Sequence, residues 1–193
     1  METRKRIKQL LLSTERKGIE NLIEWMENEG FFDAPCSSKY HLAEPGGLAK
    51  HSLNVFQASM QIALAYYSER EDEITFDFIN AITISALLHD IGKTGQFGKP
   101  IYIKNEDPEH GAYKTNRELL YVPHEVRSVA IISKFIDLTE EEQYAILYHN
   151  GLYGELKNFK GKETPLLMIL HSSDMWASRV VEKQEEKTNV NNV

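Results

Sequence analysis

Only one cysteine, Cys36, stands among the 193 residues. That excludes an intramolecular disulfide, a multi-cysteine zinc module and an iron–sulfur cluster. Long apolar runs are also missing. Ala81–Leu88 is interrupted by Thr83 and Ser85 and stops at His89–Asp90, far short of the ~20 residues that span a bilayer. The N-terminal run METRKRIKQLLLSTERK is cationic, but its apolar part is only Leu10–Leu12. No signal or transit segment is read, so the expected address is the cytoplasm. Positive charge is scarce: 22 Lys and Arg against 29 Asp and Glu leave a net charge of −7. A stable nucleic-acid or anionic-membrane partner is therefore not expected. A small anionic substrate is still allowed, because a local site or bound metal inverts the field.

Repeats and low-complexity linkers are absent, and strand signals are nearly so. The chain reads as one all-α domain, a helical bundle over residues 1–181, followed by a disordered tail at 182–193. The run Arg4–Lys8 reads as a solvated helix face. Ile19, Leu22, Ile23 and Met26 recur at helical spacing, with Ser13 or Thr14 as cap and Gly30 as stop. Phe31–Pro45 is a connection. Gly46–Gly47 opens a long helix with His51 on its apolar face, and Asp77–Ile91 is a third helix stopped by Gly92. Gly95–Asn105 is a short hairpin or an extended loop, and Asp107–Leu120 a polar loop. Pro123 suits the first turn of a helix through about Phe135. Thr139–Glu142 fits a capping box for a helix through Tyr148. Asn150–Glu163 is a loop, and Pro165 opens a last helix to about Val181.

Seven histidines are present, and their positions matter more than their number. His89–Asp90 closes a strongly apolar helix, where an unpaired burial would cost several kcal/mol. A hydrogen-bonded helix end is one way to satisfy such a pair; a metal ion is another. His51, His124, His149 and Asp174 also lie on apolar faces or at helix ends. Ligand-type side chains thus come from five helical segments, all imidazole or carboxylate and none a thiol. That set suits Mn, Fe, Ni, Co, Mg or Zn.

The strings GGLAKH (46–51) and LLHDIGK (87–93), followed by Asp174, resemble the HD-domain superfamily of metal-dependent phosphohydrolases. The likeness covers about residues 40–180. It is most similar to HD domains associated with 3′–5′ exoribonucleases and relaxases, where a GGL segment precedes the first metal histidine. The resemblance implies a helical bundle with one or two divalent ions. It assigns His51, His89, Asp90 and Asp174 to the first ion. His124 and His149 would hold a second ion, bridged by Asp90. Asn150–Gly151 follows His149, so the Gly-Tyr-Pro signature of cyclic-dinucleotide phosphodiesterases is absent.

The implied activity is hydrolysis of a nucleotide or related small phosphate ester by a metal-bound hydroxide. Asp90 and Lys93 are its catalytic candidates, with Lys93 placed to meet a phosphate oxygen. His110, Tyr113, Lys114 and Arg117 are further substrate-binding candidates, on the polar loop. His171 is either a second-layer partner or a hydrogen-bonded core histidine, and His41 a loop residue. Rival readings are a deoxynucleotide triphosphohydrolase, a phosphodiesterase of cyclic or short oligonucleotides, and a non-catalytic HD binding module.

Overall fold

A computed structural model of the chain describes residues 2–70, 74–107, 109, 111–151, 154 and 161–183. Seven α-helices make up its bulk: α1 Glu2–Leu12, α2 Ile19–Asn28, α3 Gly47–Tyr66, α4 Phe76–Leu88, α5 His124–Ile132, α6 Glu140–Tyr148 and α7 Pro165–Trp176. The all-α expectation holds. None of the described helices is long and apolar enough to cross a membrane.

Helix α4 is the hub. It is apolar almost all round, and Ile82, Ile84, Leu87 and Leu88 are fully buried. A helix without a polar face belongs in a core, and α4 packs against α1, α3, α6 and α7. Its start is fixed by Thr75, whose hydroxyl accepts the Phe78 amide. Its C-terminal end is therefore buried, and that end carries His89 and Asp90. Ile91–Lys93 then forms a 3₁₀ turn against α5.

Gly92 does more than stop a helix. A Cβ there would overlap the His124 carbonyl oxygen and stand 2.8 Å from the Ser128 amide nitrogen. Its own amide donates to Ser128 Oγ at 2.9 Å. The absent side chain lets the Asp90 turn lie directly on the α5 backbone. Gly47 has a matching role at α3, where a Cβ would overlap the Leu42 carbonyl oxygen.

Several sequence expectations change. Ser13 and Thr14 do not cap α2; their hydroxyls donate to Leu10 and Leu11 carbonyls and close α1. Gly18, with φ 89°, precedes α2 instead. Arg4 and Lys8 are not merely solvated, since they pair with Glu27 and Asp33. Gly95–Gln96 (β1) and Lys99–Pro100 (β2) form the hairpin, paired antiparallel. A second pair, Tyr102–Lys104 (β3) with Tyr113–Thr115 (β4), falls inside segments read as loop. Pro123 precedes α5 rather than lying in its first turn, and α5 ends at Ile132.

The capping box of α6 is present: Thr139 Oγ1 accepts the Glu142 amide, and Glu142 accepts the Thr139 amide. The buried Glu142 carboxylate is also gripped by both terminal nitrogens of Arg16. Past α7, Ala177–Val181 winds as a π-helical turn into Glu182. Glu182, read from sequence as the first tail residue, is fully buried. The rest of the expected tail beyond Lys183, His110 and most of the 150–163 loop lie outside the described residues.

Candidate metal centre

The six predicted ligands come together from five elements, with four imidazoles around Asp90 and Asp174 beside His51. One oxygen, Oδ2, is 3.6 Å from His51 Nε2 and 3.4 Å from His89 Nε2. The other, Oδ1, is 3.2 Å from His124 Nε2 and 3.7 Å from His149 Nε2. Asp174 Oδ1 lies on the first side, 3.2 Å from His51 Nε2. The carboxylate thus faces two pairs of imidazoles, one pair per oxygen.

Three of the four imidazoles are oriented by a hydrogen bond at their other nitrogen. His89 Nδ1 donates to the Ala86 carbonyl at 2.9 Å, and His149 Nδ1 to the Ile146 carbonyl at 2.8 Å. A carbonyl only accepts, so both rings carry hydrogen on Nδ1 and present the Nε2 lone pair inward. His51 Nδ1 donates to Glu182 Oε1 at 2.8 Å. His124 Nδ1 stands 3.1 Å from Glu125 Oε2. The local cause is helix anatomy. His89 and His149 stand at helix C-terminal ends, where carbonyls lack helical partners.

The electrostatics suit a cation. Burial alone would raise Asp90, but the Lys93 ammonium and the His89 and His124 rings hold its carboxyl well below the usual carboxylate range. Burial likewise opposes a proton on His51, yet Cys36, Asp174 and Glu182 raise its pKa well above that of a free imidazole. The same negative surroundings that favour a proton there favour a metal ion. His149 is pushed down to about 3, by burial first and by His89 second, so it is neutral at pH 7. Burial would raise Asp174, but its contact with His51 lowers it.

Three buried atoms at this centre make no hydrogen bond: His51 Nε2, His89 Nε2 and Asp90 Oδ1. Orphaned polar atoms of this kind are costly unless something satisfies them. The groups His51, His89, Asp174 and His89, Asp90, His149 each gather within the span of a single ion. Nitrogen and oxygen donors converging on unsatisfied lone pairs fit a divalent ion well.

Lys93 donates to Asp90 Oδ2 at 2.6 Å and is shared by the walls of three clefts. Burial opposes its charge, but Asp90 more than offsets this and raises its pKa. One cleft, about 380 Å³, runs from Lys93 and His124 past Tyr102, Arg117 and Tyr121. A second, about 200 Å³, opens on His41, His149, His171 and Asp174. A larger cleft of about 500 Å³ beside Arg4, Asp33 and Lys50 contains none of these groups.

Of the predicted substrate residues, Lys93 and Arg117 line the cleft that His124 also walls. Tyr113 lines a different cleft beyond Lys93. Lys114 is on neither wall; its ammonium lies 3.7 Å from Glu106. His171 Nδ1 donates to the His149 carbonyl at 2.7 Å, so it steadies the turn that carries His149. His41 is no free loop residue: its Nε2 is 3.4 Å from Cys36 Sγ and 3.8 Å from Glu182 Oε2. Glu182 and Ser128 were not singled out in the sequence. A polar tail composition hid the first, and nothing local distinguishes the second from any helix serine.

A family model described as HD domain matches residues 48–188. No curated protein and no solved structure matches the chain.

Proposed function

Because the chain belongs to the HD domain family, many of whose members are hydrolases, we propose that it hydrolyses a phosphate ester of a small nucleotide-type substrate. The observation that carries this is the division of Asp90 between two imidazole pairs. His51, His89, Asp90 and Asp174 would hold one divalent ion, and Asp90, His124 and His149 a second. Ions held there would lower the pKa of bound water and neutralise phosphoryl oxygens.

The chain's own groups supply the rest. Lys93 stays charged through Asp90 and lines the cleft, where it would meet a phosphoryl oxygen. Arg117 stands along the same cleft and adds a second cation. Tyr102 and Tyr121 line the same cleft and would stack on a base. A cleft of about 380 Å³ suits a nucleotide rather than a polymer, and the net charge of −7 also disfavours a long polyanion.

The test is a panel of nucleoside mono- and triphosphates and short oligonucleotides, each with Mn²⁺, Ni²⁺, Co²⁺ or Mg²⁺. Inorganic phosphate released from a nucleoside monophosphate is the expected result. Tripolyphosphate would identify a triphosphohydrolase instead, and nucleotide products from oligonucleotides a diesterase. No product with any metal would leave only the binding-module reading.

A further inference from the structure

We infer that Glu182 is the positioning residue for His51, holding that ring so that its Nε2 faces Asp90 and Asp174. This rests on the metal-centre reading above and adds to it a residue from beyond α7.

The three inner histidines meet different local conditions. His89 and His149 find free carbonyls three residues back, because they end helices. His51 lies in the second turn of α3, where neighbouring carbonyls are committed to the helix ladder. Its Nδ1–H needs an acceptor from elsewhere. The acceptor is Glu182 Oε1 at 2.8 Å, 131 residues away in sequence. Asn54 Nδ2 also donates to that oxygen, at 3.3 Å, and holds it in place. Both partners are buried, with His51 1% and Glu182 0% exposed. With Nδ1 so engaged, Nε2 sits 3.2 Å from Asp174 Oδ1 and 3.6 Å from Asp90 Oδ2.

The π-helical turn explains how one helix serves both edges of the ring. Asp174 and Glu182 are eight residues apart, which in a regular α-helix leaves them about 80° out of line. One α turn followed by one wider turn of about 4.4 residues realigns them. The turn at Ala177–Val181 is of that wider kind. Single π turns recur at functional sites. A carboxylate behind a metal histidine fixes its tautomer and typically contributes 10–100-fold to metal affinity.

Metal-stripped full-length protein, Glu182→Gln and Glu182→Ala are titrated with Mn²⁺ by calorimetry, and the thermal transition of each is recorded. Glu182→Ala is expected to weaken Mn²⁺ binding about 10–100-fold. Glu182→Gln should recover part of that loss, because its carbonyl oxygen still accepts Nδ1–H, and its melting temperature should stay near wild type. Wild-type affinity in a folded Glu182→Ala would overturn the inference. So would a folded Gln variant as weak as Ala, since the hydrogen bond would then not matter. If the Ala variant does not fold, the Gln variant decides alone: near-wild-type affinity supports positioning, and an Ala-sized loss of about 10–100-fold refutes it. A wild type that binds no Mn²⁺ would instead overturn the metal-centre reading itself.

Discussion

Asp90→Asn lowers hydrolysis on the order of 10³-fold or more and empties the second-ion side, while the protein stays folded. The reason lies in what an amide does between these partners. Its oxygen must face Lys93, whose ammonium can only donate and sits 2.6 Å from Oδ2. Its NH₂ then points at His124 and His149, whose nitrogens lie 3.2 and 3.7 Å from Oδ1. The amide hydrogens occupy the lone pairs that an ion needs. Asp90→Ala behaves differently. It leaves the mostly buried Lys93 ammonium without its partner, which costs about 3 kcal/mol. That lowers the melting temperature by about 9 °C in a chain of this size. Metal content, rate and melting temperature measured together separate the two variants. An Asn variant with normal metal content and activity would remove Asp90 from the site.

Gly92→Ala is expected to cost about 3 kcal/mol and to displace α5. The added methyl meets backbone, the His124 carbonyl oxygen and the Ser128 amide, so no rotamer change relieves it. It also disturbs the Gly92 amide bond to Ser128 Oγ. Because α5 begins at His124, the strain falls on the second-ion side. The first side, built from α3, α4 and α7, is spared. The melting temperature should fall by about 9 °C and bound Mn²⁺ from two per chain to one. A variant with unchanged stability would show that the 3₁₀ turn and α5 are not in close contact.

Much of the site was legible because the strings GGLAKH and LLHDIGK resemble the HD-domain pattern. Apolar spacing by itself put His51 on a helix face and His89–Asp90 at a helix end. Asp174 and His149 stand at helix positions that apolar spacing makes visible. Glu182 was not legible. It belongs by composition to a charged run, and only a contact 131 residues distant selects it over Glu185 or Glu186. The π turn that aims it has no sequence mark. Strands β3 and β4 are three residues each, too short for alternation to show. Thr14 is of a residue type that caps helices, yet its hydroxyl closes the helix before it. Gly92 reads as punctuation, and its close approach to α5 is purely tertiary.

If two divalent ions share Asp90, one on each side, then removing a ligand of one ion leaves the other in place. Mn²⁺ bound to metal-stripped wild type and to His124→Ala is counted by equilibrium dialysis. Two ions per wild-type chain and one per variant chain are predicted. No bound ion in the wild type, or the same count in both proteins, would contradict that sharing.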